Sequence, residues 1–321
     1  MTNSEINLSR LRITIHIGPS KTGTTTLQEF CFPQIANIQF LGKPWFNPTV
    51  PYDQCVALHQ AIDQIWKTPE FDWDETAARA ALSQYLNSRF NEALAGDGFY
   101  EIPFLLSEEG LSLTLTVPHS VIADRLSRLF PSAEIVYVVR DPVDALISGH
   151  KWLYARARTD AGFSDWIRSG SDPSFKSPAS GAMRSYRYDE IQCIYEQKFL
   201  SVRNIPFTEI YADSDKFLTL LLGIFPVKTA GFKSPSEVHA NSAPNRAVAE
   251  LHRFVKKSIR LWNRLGWRQI DEKPEYLGET KNWQFLNRPL SRLKWQGKKF
   301  RVTDETIAMI NAYYNKSGSA P

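Results

Sequence analysis

Leu11-Arg12-Ile13-Thr14-Ile15-His16-Ile17-Gly18-Pro19-Ser20-Lys21-Thr22-Gly23-Thr24-Thr25 is the stretch that decides the fold. Residues 11–17 alternate in the manner of a strand, run straight into a Gly/Pro/Ser/Thr loop, and are followed over Thr25–Ala36 by the pattern of a helix. A loop between a parallel strand and a helix offers unpaired backbone N–H groups and the positive end of the helix dipole, so phosphate binds there readily. The spacing of Gly18 and Gly23 matches the first half of a nucleoside-triphosphate loop. That motif then requires Lys and Ser/Thr, whereas Thr24 and Thr25 follow here and the lysine has moved inside, to position 21.

Outward from the loop, strand and helix signals alternate. Helices are expected over Gln54–Trp66 and Asp74–Leu94, the second with Asp74 as N-cap and Gly96 as stop. Gly98–Ser107 reads as a core strand and Ser120–Phe130 as a helix. Glu134-Ile135-Val136-Tyr137-Val138-Val139 is nearly all β-branched or aromatic, as in a strand buried on both faces of a parallel sheet. Asp141 as N-cap and Pro142 at the first helical position start the next helix. Residues 159–181 read as a mobile loop. A helix over Met183–Val202, a strand over Phe207–Tyr211 and a helix over Lys216–Phe225 follow. The repeating β/α pattern makes the fold class α/β, with a parallel sheet flanked by helices. It is read as a single domain over 1–321, with a core at about 11–226 and a basic helical C-terminal extension at about 244–316.

Composition narrows the chemistry. The chain has 321 residues, 43% of them hydrophobic, and no apolar run near the roughly 20 residues that cross a bilayer, so a cytoplasmic protein without a secretion signal is expected. Three scattered cysteines and six scattered histidines suggest neither a disulfide framework nor a metal site. Net charge is only +4, yet residues 251–301 hold 14 Lys or Arg against 4 Asp or Glu, a local net of +10. That asymmetry suits an anionic partner, as well as a solvated basic face.

Lys21-Thr22-Gly23-Thr24-Thr25 resembles the 5′-phosphosulfate loop of sulfotransferases that use 3′-phosphoadenylyl sulfate (PAPS). His16-Ile17-Gly18 ahead of it resembles the bacterial carbohydrate-type, heparan-sulfate-sulfotransferase-like branch. The resemblance implies a P-loop-like, doubly wound parallel sheet flanked by helices, PAPS as donor co-substrate and no metal. Ser20, Lys21, Thr22, Gly23, Thr24 and Thr25 then form the donor loop, with Lys21 placed to stabilise charge on the departing bridging oxygen. Many cytosolic members place a Trp after the two threonines, where this chain has Thr26 and Leu27. The family's 3′-phosphate site pairs an Arg at a strand end with a Ser eight residues on, a pattern that Arg140 and Ser148 reproduce. Lys228, Lys233 and Arg246 are further candidates for donor contacts.

Sulfuryl transfer to a hydroxyl needs a base. Ser107-Glu108-Glu109 resembles the Ser-x-Glu segment of bacterial and glycan-type members, which makes Glu109 the base. Glu108 would point elsewhere and be solvent-facing or structural, and His16 is the second choice. His150 reads as a helix-surface residue. The acceptor, a hydroxylated small molecule, glycan or glycolipid, is expected near Trp45, Phe46, Phe163 and Trp166. An anionic membrane surface is an alternative partner for the basic third, and no specific nucleic acid is implied. A P-loop kinase would need Gly-Lys-Ser/Thr and a magnesium-binding Asp. A non-catalytic nucleotide- or glycan-binding protein would bind donor without turnover.

Overall fold

β-branched and apolar runs become five parallel strands: β1 (Ile13–Ile17), β2 (Gln39–Leu41), β3 (Phe104–Ser107), β4 (Glu134–Val139) and β5 (Ser201–Pro206), in the order β2-β3-β1-β4-β5. The structure is a computed structural model and describes residues 6–35, 38–42, 52–94, 97–112, 117–155, 158–171, 178–212, 254 and 302–315. Contacts divide the chain into two compact units, residues 1–140 with 184–240 and residues 141–183 with 241–321. The whole sheet lies in the first.

Alternation puts successive side chains on opposite faces, and both faces are covered. Ile15, Phe104, Leu106, Ile135 and Tyr137 pack on one side with α2 (Tyr52–Lys67), α3 (Glu75–Leu94), α4 (His119–Leu129) and α8 (Tyr188–Glu196). Leu105, Val136, Val138 and Ile205 pack on the other with Leu27, Phe32 and Phe40. Each such side chain contributes about 1.5–3 kcal/mol on full burial. Because β1 is central, its loop and those after β3 and β4 open at the same carboxyl edge, where ligands of doubly wound sheets bind.

Local chemistry sets the ends of the elements. Asp74 accepts from the N–H of Ala77 (3.0 Å) at the start of α3. Arg125 donates to the carbonyls of Ile65 and Thr68 (2.8 Å each) and so satisfies the C-terminus of α2. Asp141 accepts from Asp144 N–H (2.9 Å) and opens α5 (Pro142–Ala155). The helix after the phosphate loop is irregular. It is α-helical as α1 over Thr24–Thr26, widens to a π-turn over Leu27–Cys31 and tightens to a 3-10 turn over Phe32–Gln34.

Several elements differ from the sequence reading. Residues 97–101 form a 3-10 turn rather than strand, and Pro103, which has no N–H to give a ladder, precedes the shorter β3. The loop expected at 159–181 contains α6 (Phe163–Ser171) and the start of α7 (Pro178–Ser185). Phe163, Trp166, Ile167 and Gly170 bury one helical face, a periodicity hidden by the surrounding Ser, Asp and Gly. The single helix expected over 183–202 is broken between α7 and α8. The strand comes earlier, as β5, and Phe207–Ala212 is a helix, α9. As an edge strand β5 exposes Arg203 and Asn204 and lacks an apolar signature. β2 carried no signal at three residues.

α10 (Asp304–Asn315) belongs to the second unit, where Thr306 pairs with Ser164 (2.8 Å) and Tyr314 donates to the Met183 carbonyl (2.9 Å). Gly96, the helix expected at 216–225 and, apart from Phe254, the helix expected at 244–265 and the basic segment 251–301 lie outside the described residues. No described helix is long and apolar enough to cross a membrane.

Candidate active site

Residues 18–23 leave β1 and turn tightly into α1. Lys21 (φ 72°) and Gly23 (φ 82°) adopt left-handed backbone, with Thr22 between them at ordinary φ. Alternation of left-handed and ordinary φ is the backbone pattern from which anion-binding nests are built. A left-handed lysine costs roughly 1–2 kcal/mol, so the loop must be held by its surroundings. Three contacts do this. Arg140 Nη1 donates to the Lys21 carbonyl (2.7 Å), Tyr186 Oη to the Ser20 carbonyl (2.8 Å), and Thr22 Oγ1 to the Pro19 carbonyl (2.7 Å). Gly18 is needed for closure, because a Cβ there would lie 2.8 Å from Cγ2 of Thr24.

Beneath the loop lies a buried polar network. His16 Nδ1 is 2.7 Å from Ser107 Oγ, which also accepts from Gln28 Nε2 (2.8 Å), and the His16 ring packs edge-on to Phe32. Burial lowers the His16 pKa to about 3, so the ring is neutral at ordinary pH. The alternative base is thus a core residue joining β1 to β3.

Glu108 and Glu109 follow β3 and diverge. Glu109, half-buried at the start of the 3-10 turn Glu109–Ser112, accepts the Thr24 hydroxyl on Oε1. Thr24 was expected on the 5′-phosphate, and here its hydroxyl serves the carboxylate. Glu108 is buried, accepts from Gly110 N–H (2.9 Å) and pairs with His59 (3.2 Å), which makes it structural rather than solvent-facing.

Arg140 closes the opposite side at the end of β4. Its guanidinium lies 4.3 Å from the centre of the Phe207 ring, its backbone N–H donates to Tyr188 Oη (3.2 Å), and its Nε is buried without a hydrogen-bond partner. Burial pushes the phenols of Tyr186 and Tyr188 up, so both remain protonated hydrogen-bonding groups.

The structure thus brings Ser20, Lys21, Thr22, Gly23, Thr24, Glu109 and Arg140 together at one edge of the sheet, with Thr25 beside them on α1. Ser148 is placed on α5, in the second unit. Tyr186 and Phe207 were missed. Tyr186-Arg187-Tyr188 lay inside what reads as one helix, and Phe207 in what reads as a strand, so neither signalled a loop contact.

Of the expected acceptor aromatics, Phe163 and Trp166 alone lie within the described residues. Phe163 and Trp166 are buried against His150, itself buried rather than on the helix surface, while Trp45, Phe46, Lys228, Lys233 and Arg246 lie outside the described residues. Among the described residues, no group of three or more His, Cys, Asp or Glu is arranged to hold a metal ion.

Among solved structures, a sulfotransferase from Alicyclobacillus acidocaldarius is 15% identical, with coverage of 81% of this chain and 97% of that chain and a TM-score of 0.46. The sulfotransferase domain from the curacin biosynthetic pathway is 12% identical (95% and 98% coverage, TM-score 0.38). Retinol dehydratase in complex with androsterone and the inactive cofactor PAP is 14% identical (99% and 84% coverage, TM-score 0.31). No curated protein matches the sequence significantly. The sequence profile of the Sulfotransferase family matches residues 15–222, a span that takes in the loop after β1, the Glu109 turn and Arg140, and the chain belongs to that family.

Proposed function

We propose that the chain transfers a sulfuryl group from PAPS to a hydroxyl of a carbohydrate or glycolipid acceptor. The donor supplies an activated sulfuryl group on a phosphosulfate, and the residues present suit such an anion. The loop offers a nest of N–H groups, the Lys21 ammonium and the N-terminus of α1, with the partly unsatisfied Arg140 guanidinium nearby.

Glu109 accepts the proton of the acceptor hydroxyl as that oxygen attacks sulfur. Lys21 stabilises the negative charge on the bridging oxygen as its bond to sulfur breaks. The products are a sulfate monoester and adenosine 3′,5′-bisphosphate. Arg140 serves the 3′-phosphate in this reading, and the role of Ser148 rests on the family pattern alone. The observation that carries the reading is the hydrogen bond from Thr24 to Glu109, which puts a carboxylate at the helix end of the phosphate loop. The carbohydrate assignment is supported by the His16-Ile17-Gly18 resemblance.

Incubation with sulfur-labelled PAPS, EDTA and a panel of sugars, glycolipids and phenols tests this directly. Label is expected on a sugar hydroxyl. Label only on phenols overturns the acceptor class, and no labelled product here, with magnesium-dependent ATP turnover in a parallel incubation holding ATP and magnesium in place of EDTA, overturns the reaction.

A further inference from the structure

We infer that Glu108, held by His59, is a positioning residue that sets the direction of Glu109; the inference rests on the reading of Glu109 as base. The Glu108 N–H donates to the His16 carbonyl (3.2 Å), so its backbone prolongs the β3–β1 ladder by one residue. Its side chain then turns toward α2. Oε1 accepts from Gly110 N–H (2.9 Å), and Oε2 faces His59 Nδ1 (3.2 Å). A single carboxylate therefore fastens the turn to itself and to a helix. The residue between the two fastened positions is Glu109, whose side chain leaves toward Thr24.

α2 grips the same turn a second time. A Cβ on Gly110 would lie 2.1 Å from the Trp66 ring, so that ring packs directly on the Gly110 backbone. His59 is itself held between carboxylates, with Nδ1 on Glu108 from the turn and Nε2 3.6 Å from Asp63 on α2, where Lys67 pairs with Asp63. The far end of the turn is fixed by neutral bonds: His119 Nε2 with the Ser112 carbonyl (2.9 Å) and Tyr195 Oη to the Leu111 carbonyl (3.3 Å). Those bonds persist when Glu108 is changed, so loss of Glu108 frees the end that carries Glu109. A displacement of about 1 Å in a reacting group costs on the order of a hundredfold in rate.

The experiment compares wild type with Glu108→Ala, Glu108→Gln, His59→Leu and Glu109→Gln. It reads kcat with labelled PAPS and the best acceptor of the panel, and the Kd of adenosine 3′,5′-bisphosphate. Glu108→Ala is expected to lose about 30- to 100-fold in kcat and His59→Leu about tenfold, both with Kd within about threefold of wild type. Glu108→Gln should stay within about threefold of wild type, because its amide oxygen still accepts from Gly110 and its amide group still faces the His59 ring. The inference is overturned by normal kcat in Glu108→Ala or His59→Leu, by parallel loss of kcat and bisphosphate binding in either, or by Glu108→Gln as impaired as Glu108→Ala. A Glu109→Gln enzyme with wild-type kcat instead refutes the base assignment and removes the positioning role with it. If Glu109→Gln is inactive while Glu108→Ala is normal, only the positioning role falls.

Discussion

Lowering the pH from about 7.5 to about 4.5 is expected to destabilise the fold through histidines that are buried neutral. His16 lies beneath the phosphate loop with its pKa lowered by burial to about 3, and His119, beside the Glu109 turn, is lowered by burial to about 4. Both folded values lie below the ordinary 6.5. Between these limits the unfolded chain binds protons that the folded chain does not, so stability is full above about pH 6.5 and falls with pH. The slope is about 1.4 kcal/mol per pH unit for each group. Two units below 6.5, each histidine has removed about 2–3 kcal/mol, together about 5 kcal/mol from a typical total of 5–15 kcal/mol. His150, also lowered by burial, acts in the same sense, and the partly exposed Glu29, raised by burial, in the opposite one. Urea unfolding followed by circular dichroism at stepped pH measures the slope. His16→Gln keeps a polar partner for Ser107 and should flatten it by about 1.4 kcal/mol per pH unit. Wild-type stability that is flat across this range, or equal slopes in the two proteins, would rule out this role for the buried histidines.

Glu109→Gln is expected to lower kcat by about 10²- to 10⁴-fold while the Kd of adenosine 3′,5′-bisphosphate, read by calorimetry, is unchanged. Arg140→Ala removes the clamp on the Lys21 carbonyl and the Phe207 contact, and should raise that Kd about tenfold or more, with a smaller effect on kcat. Gly110→Ala forces a methyl group into the Trp66 ring and should cost about 1–3 kcal/mol, seen as a lower Tm.

The phosphate loop was legible because its chemistry is local. Glycine and threonine types, a preceding strand and a following helix are all written in one continuous stretch, and the fold class follows from repeating that logic at β4 and α5. Glu109 was legible only as half of an ambiguous pair. What separates it from Glu108 is contact with residues far away in sequence, Thr24 for one and His59 for the other, and no spacing rule encodes such contacts. The same holds for Tyr186 and Phe207, which hold the loop and Arg140 through tertiary packing. β5 was displaced in the reading because it is an edge strand with Arg203 and Asn204 exposed in its middle. α6 was concealed because its apolar face is short and its other residues are loop formers.

In the proposed reaction Lys21, inside the glycine frame, serves sulfuryl transfer as well as phosphate binding. Single-turnover transfer from labelled PAPS by Lys21→Ala, measured beside its Kd for adenosine 3′,5′-bisphosphate, tests it most directly. The expected result is a rate loss of about 10²- to 10³-fold with Kd changed less than about fivefold. A mild, equal change in both quantities would contradict it.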